Sequence, residues 1–366
     1  MSARKHVIVV GAGIIGAAIA LSLARAGARV TVLDAGAPGG IATRASWAWL
    51  NASWGNPEPY FRLRVRALAE WRALAETVPD LGVLWPGSLY WEVAPDVLRQ
   101  FADSHAAWGY NVRLVGRDDI VRREPLLAAP PDLAVLAPDE GVVEPLEATL
   151  ALLAEATRLG ASVVGNLPVQ SLELRGDRVE GVRTLDGVQA ADEVVLAVGV
   201  ATTPLLARAG LVVPVQIRPS IVVTSAPHAK LLNGLLLAPG AEIRQTAAGK
   251  LLACATGETF APDDATAPSA FFESLRGMFS NGATLALERH WIGHRPVPRD
   301  GFPIVGRVGD VAGLYVAVTH SGITLAPAIG RFAAEEILAG QRDALLATYG
   351  AARFLDIPAP RGTVRA

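Results

Sequence analysis

Four residues near the N-terminus are spaced for a phosphate-bearing ligand. They are Gly11, Gly13 and Gly16, in the run GAGIIG, and Asp34. Glycine at the first position permits a tight turn. At the second it lets the backbone approach a pyrophosphate, and at the third it lets a helix close on its strand. A helix starting here, with Ile14 and Ile15 in its first turn, offers unpaired N–H groups and a positive dipole end to phosphate. Asp34, followed by Ala35, stands where a carboxylate meets a ribose hydroxyl. This pattern specifies a dinucleotide but does not choose between NAD and FAD.

The flanking residues supply the elements such a turn needs. HVIVV (6–10) is a continuous apolar, β-branched run, the mark of a strand buried on both faces. A helical pattern over 17–26 stops at Gly27, and RVTVL (29–33) forms a second buried strand. Residues 36–56 are rich in glycine, serine and tryptophan without periodicity, so they read as an ordered loop. Pro57 and Pro59 open a helix to about Thr77, with Phe61, Val65, Leu68 and Trp71 on one stripe. Across 81–137, strand patterns such as 88–93 alternate with a helical stretch at 95–108. Glu144 and Pro145 start a helix that Gly160 stops. Strands follow at 162–164, 169–175, 178–185 and 193–198, with Gly176-Asp177 and Asp186-Gly187 as hairpin turns. Residues 212–256 are strand-rich with a break at Pro239-Gly240, and a helix near 268–280 precedes a last block over 291–340. No internal repeat appears, and residues 358–366 read as a loose tail.

Composition bounds the function. With 366 residues, 51% hydrophobic and 19% charged, the chain suits two intertwined domains around a large buried sheet. No stretch is apolar enough for a membrane span. A net charge of −2 with interspersed signs excludes a nucleic-acid groove or an anionic membrane surface as partner. The single cysteine, Cys254, permits no intrachain disulfide and fits a reducing cytoplasm. Arg4, Lys5 and the apolar run behind them mimic a secretory signal, but a signal has no need of cofactor-spaced glycines.

Five separated segments resemble the glycine oxidase, sarcosine oxidase and D-amino-acid oxidase group of flavoproteins. They are HVIVVGAGIIG…VTVLDAG, ATRASWAWLN, VEPLEATLALLAEATRLGASV…PVQSL, DEVVLAVGVAT and IGHRPVPRDGFPIVG…GLYVAVTHSGITLAPAIG. The resemblance implies an α/β plus α+β fold. A Rossmann-like FAD-binding domain (GR2-type) would comprise 1–80, 141–210 and 286–366, with a discontinuous mixed-sheet substrate domain from 81–140 and 211–285. It implies FAD as cofactor, held around the flavin by Ala42, Thr43, Arg44, Ala45 and Ser46. Val169 matches the position whose backbone pairs with adenine, and Gly199 a second nucleotide-side turn. Sarcosine-oxidase-like members attach FAD through a cysteine in the late segment. Cys254 lies well before that point, so non-covalent FAD is expected.

The late segment THSGIT (319–324) leads into a helix over 325–338, with Pro327 expected in its first turn and Gly340 beyond its end. The free amides of Gly322, Ile323 and Thr324 would stabilise negative charge on a reduced flavin. Arg295, within IGHRP (292–296), resembles the arginine that holds the substrate carboxylate, and a structural salt bridge is its other reading. Trp47, Trp49 and Trp54 lie near the flavin loop and either shape a substrate pocket or simply pack. His320 is divided between flavin contact and core hydrogen bonding. His290 and His294 would need a helix to hold a metal, and Gly293 and Pro296 argue against one, so no metal is expected. No lysine stands where the sarcosine subgroup places its oxygen-activating one; Lys250 follows a turn and reads as solvated. The implied activity is oxidation of a C–N bond in an amino acid or N-substituted glycine, giving an imine and, with O2 as acceptor, H2O2. No side chain is assigned as catalytic. An amino-acid dehydrogenase serving another carrier, a D-amino-acid oxidase proper, an NAD enzyme and a non-catalytic FAD-binding protein are the alternatives. Oligomeric state is not legible.

Overall fold

The run His6–Val10 becomes a central strand of a six-stranded sheet, ordered Ile304–Arg307, Leu314–Val318, Glu193–Leu196, His6–Val10, Arg29–Leu33, Ser162–Val164. All neighbours are parallel except the first pair. The computed structural model describes residues 4–53, 55–256 and 264–354; Trp54 and the tail beyond 354 lie outside them. Alternate residues of the central strand serve two different cores. Val7 and Val9 join the core of the helical side, whereas Ile8 and Val10 pack with Val179, Val182 and Leu196. Both faces being covered is why the sequence there shows no alternation.

On the helical side Ile14–Arg25 packs against Pro145–Arg158 and Gly322–Ala339. On the other side lies an antiparallel meander of Ser171–Arg175, Arg178–Thr184 and Gly187–Ala190. The expected strands at 169–175 and 193–198 are thus shorter, beginning at Ser171 and ending at Leu196.

The late helix starts at Gly322, earlier than the pattern suggested, so Pro327 falls in the second turn and not the first. Proline there leaves the carbonyl of Ile323 without its helical donor. Trp71 compensates: its indole Nε1 donates to Ile323 O at 3.0 Å and to Thr324 O at 3.1 Å. Gly340 ends the helix in the left-handed conformation, as expected of a C-terminal glycine.

A second, eight-stranded sheet runs Leu287–Pro298, Val215–Pro227, Lys250–Ala255, Ala241–Gln245, Leu235–Ala238, Ser88–Tyr90, Leu133–Ala137, Arg113–Gly116. One face, with Ile221, Val223, Ile243 and Ala253, packs under the helix Ala267–Gly277 through Phe271, Phe272 and Leu275. The other face, with Val222, Leu237 and Cys254, turns toward the first sheet and its helices. Leu287–Pro298 belongs to this sheet, pairing from Val215↔Pro298 to Ser225↔Leu287. The expected assignment of all of 286–366 to the nucleotide side is therefore corrected for this strand: Arg295 stands on the eight-stranded sheet. The expected loop over 36–56 also carries structure, a short helix Ile41–Arg44 and a strand Trp49–Leu50 paired with Gly141–Val142.

Candidate active site

Between the two sheets lies a cavity of about 1840 Å³. Ordinary ligand pockets reach roughly 1,000 Å³, so there is room for a dinucleotide and a small molecule together. At one end the sheet, the glycine turn and the following helix meet. The Gly11 amide donates to Leu33 O at 2.7 Å, and its φ of +103° requires glycine. A Cβ on Gly16 would sit 1.9 Å from Gly11 O, so this glycine closes helix on turn. Gly16 itself does not line the cavity; Gly11, Gly13, Ile14 and Ile15 do.

Asp34 ties the two strand ends together. Its carboxylate accepts from Ala12 N at 2.7 Å and from Gly36 N at 2.8 Å. Thr43, on the short helix, accepts from Ile14 N at 3.2 Å and so caps the first helix from a distant segment. Arg44 is exposed on the cavity rim and donates to Pro38 O at 2.6 Å. Ala35, Ala42, Ala45, Ser46, Val169 and Gly199 line the same space.

At the other end the late helix points its N-terminus inward. Its first internal bond is Leu325 N–H to Ser321 O, so the amides of Gly322, Ile323 and Thr324 have no helical partner. Arg64 stands beside them, buried. It donates to Ser321 Oγ at 2.7 Å, Asn51 O at 3.0 Å and Tyr60 Oη at 3.3 Å, and to Asn51 Oδ1. Among the described residues no carboxylate pairs with it.

The eight-stranded sheet forms the wall opposite. Arg295 and Arg218 are direct cross-strand partners, two like charges side by side. Neither forms an ion pair among the described residues, and Arg295 Nε is buried without a hydrogen-bond partner. The structural salt bridge that was the other reading of Arg295 is thus not made by a described residue. Further along this face, Glu242 lies opposite Cys254, and both line the cavity with Glu92. Burial, then the Glu92 carboxylate, pushes the Glu242 pKa up to about 7, against the pull of Arg295. Burial and Glu242 push the Cys254 thiol up to about 12. His320 projects into the cavity, open to it but enclosed by protein. Burial, with the fields of Arg295, Arg64 and Arg218, brings its pKa down to about 4, so the ring is neutral at physiological pH.

Trp47 and Trp49 line the wall edge to face, with ring centroids 5.7 Å apart. Between them Ala48 has a φ of +68°, a conformation rare for a non-glycine residue that splays the two rings. This strained segment hangs from Glu140, which is fully buried. Its carboxylate accepts from Trp49 Nε1 at 2.9 Å, Ser53 N at 3.1 Å, Ala52 N at 3.3 Å, Ser88 Oγ at 2.6 Å and Tyr110 Oη at 3.1 Å. His290 and His294 lie on one face of an extended strand, roughly 13 Å apart at the usual rise per residue, too far to share an ion.

Sequence reasoning missed Arg64, Arg218, Glu92, Glu140 and Glu242. Arg64 had a usable signal: a charged residue three places from Phe61 and seven from Trp71, on the buried stripe of its helix.

The family model described as DAO, FAD dependent oxidoreductase, matches residues 6–336. The chain is 32% identical over 359 residues to a glycine oxidase of Pseudomonas aeruginosa, covering 90% of this chain and 94% of that one. To a glycine oxidase of Geobacillus kaustophilus it is 28% identical over 357 residues, 92% of this chain and 93% of the other. The solved structure of glycine oxidase from Geobacillus kaustophilus matches with a TM-score of 0.86 at 25% identity, over 96% of this chain and 99% of that chain.

Proposed function

This chain belongs to the DAO family of FAD-dependent oxidoreductases, and from that premise we propose that it oxidises the C–N bond of an amino acid or N-substituted glycine whose carboxylate Arg295 holds. The observation that carries this reading is Arg295 itself: a guanidinium facing the cavity, beside a second arginine, with neither in an ion pair with a described residue.

The cavity fits FAD. Gly13 and Gly40 cross so closely that a Cβ on Gly40 would lie 2.8 Å from Gly13 Cα, leaving bare backbone where a diphosphate needs it. The amides of Gly13 and Ile15, with Thr43 and Arg44, would hold the diphosphate, and Asp34 the ribose. Gly322, Ile323 and Thr324 would meet the ring. When bound, FAD supplies the two-electron acceptor for the hydride leaving the carbon beside nitrogen, and water hydrolyses the resulting imine.

The chain's own side chains bind and orient. Arg295 fixes a carboxylate bidentately and so sets where the neighbouring carbon lies. The helix N-terminus and the buried guanidinium of Arg64 bring positive potential to one spot, which favours negative charge there. His320, neutral above about pH 4, offers one donor and one acceptor and adds no charge. Trp47 and Trp49 exclude water from the wall they cover. FAD is held without a covalent bond in this reading: Cys254 does line the cavity, but a thiol pushed up to about 12 is a poor nucleophile.

Oxygen as acceptor and cytoplasmic residence are parts of the same proposal. Cys254, the single cysteine, is buried and free, in keeping with a reducing compartment. No helix among the described residues is long and apolar enough to cross a membrane. Aerobic turnover of amino acids and N-substituted glycines should release H2O2 in step with substrate loss. Turnover only when an artificial electron carrier is added would replace the oxidase reading with a dehydrogenase.

A further inference from the structure

Among the described residues, the buried and half-buried carboxylates divide into two kinds. Glu124 accepts from Asn233 N and Gly234 N, Glu336 from Tyr315 Oη and Arg342, Glu193 from Lys5 and Arg307, and Glu140 from its five donors. Each is a satisfied structural acid. Glu92 and Glu242 are different. Glu92 accepts from Thr256 Oγ1 at 2.6 Å through one oxygen, while the other oxygen, Oε2, is buried without a partner among the described residues. Glu242, half-buried in the wall, forms no hydrogen bond or ion pair with any described residue. Both line the cavity that holds Arg295, and their mutual repulsion is strong enough to count among the forces on Glu242.

Such an arrangement does nothing for the fold. Two like carboxylates held half-buried in one wall, with no cation bonded to either among the described residues, oppose folding. Strand alternation put Glu242 there: Ala241 and Ile243 point into the lower core, so Glu242 must face the cavity. The groups that face Glu242 from neighbouring elements are Glu92, Cys254 and Arg295. Of these only Arg295 is cationic, and the proposed function commits that arginine to a carboxylate.

We propose that Glu242 and Glu92 form a subsite for a cationic group of the substrate, an ammonium or guanidinium carried away from the oxidised C–N bond. The preferred substrate is then a basic amino acid, or a glycine whose nitrogen bears a chain ending in a cation. The cavity would grip it at both poles, the carboxylate on Arg295 and the distal cation on the two glutamates. A neutral chain of the same shape would cover both carboxylates without pairing them, which is how a site rejects an analogue lacking the expected group. This inference rests on the reading of Arg295 and of C–N oxidation given above.

Isosteric pairs test it on the holoenzyme: ornithine against norleucine in both enantiomers, and N-(aminopropyl)glycine against N-butylglycine, each followed by anaerobic loss of flavin absorbance. The cationic member of the preferred pair should lead by about 100-fold in kcat/KM, the scale of one partner lost from a buried charge pair. Glu242→Gln should erase that lead by slowing the cationic member far more than the neutral one, with FAD content unchanged, and Glu92→Gln should reduce it. A neutral member that reacts as fast as its cationic partner in the wild-type protein overturns the subsite and leaves C–N oxidation standing. Equal slowing of both members by Glu242→Gln overturns it too, since the carboxylate would then act at the reacting nitrogen. If no amine of any kind reduces the flavin, the proposed function fails and the subsite with it.

Discussion

Arg295→Leu should lower kcat/KM for a carboxylate-bearing amine by about 10²–10³-fold, the range for truncating one partner of a buried charge pair, while FAD content stays unchanged. The guanidinium stands on the eight-stranded sheet, away from the glycine turn and Asp34, so its loss leaves the nucleotide end intact. Most of the loss should appear in KM, because the fork binds the carboxylate in ground and transition states alike. A fall in kcat beyond that would report lost orientation of the carbon. An amine without a carboxylate serves as the internal control and should respond little. Arg218→Leu should have a smaller effect, since that side chain is exposed and more screened. An unchanged KM for the acid substrate would remove Arg295 from the site.

Glu140→Gln should destabilise the protein by about 2–3 kcal/mol, the cost of leaving buried donors unsatisfied. The hydroxyls of Ser88 and Tyr110 can rotate to accept from the new amide. The three N–H groups of Trp49, Ala52 and Ser53 cannot, and they would compete for one oxygen. The pH dependence has a definite sign. Burial raises the Glu140 pKa above its ordinary value despite the donors around it. The folded state therefore binds more protons than the unfolded state between those two pKa values, and this group's contribution falls as pH rises through that window. Urea midpoints measured across acid pH should show that slope in wild type and lose it in Glu140→Gln. Because Glu140 anchors the strained Trp47–Trp49 segment, the variant should also bind substrate less tightly. A midpoint shift within experimental scatter would mean that the network is slack.

What was legible in the sequence was whatever depends on near neighbours in the chain. His6–Val10, Arg29–Leu33 and the intervening glycines read correctly because burial on both faces and a tight turn each leave a local signature. The late helix was found, yet its start was misplaced: a proline usually marks a first turn, and here a distant tryptophan, Trp71, rescues the carbonyl that Pro327 orphans. Glu242 was invisible for a related reason. In AEIRQ the alternation marks Ala241 and Ile243 as inward and Glu242 and Arg244 as outward, and outward normally means water. Here the outward face is the cavity wall, a fact set by how eight strands from both halves of the chain assemble. Arg244 shares that face and is neutralised by Glu144 at 2.7 Å, from the entry of another helix. The placement of Arg295 on the nucleotide side failed likewise, because only the pairing with Val215–Pro227 shows which sheet its strand joins. Arg64 alone was within reach of pattern reading, as a charge on an apolar helical stripe.

The most direct test of the central claim is anaerobic mixing of the purified, FAD-loaded protein with amino acids and N-substituted glycines, followed by the flavin's visible absorbance. Bleaching by at least one carboxylate-bearing amine, and not by the matching amine without its carboxylate, is the predicted result. A flavin that stays oxidised with every such amine, or that bleaches only with a reduced nicotinamide, would contradict it.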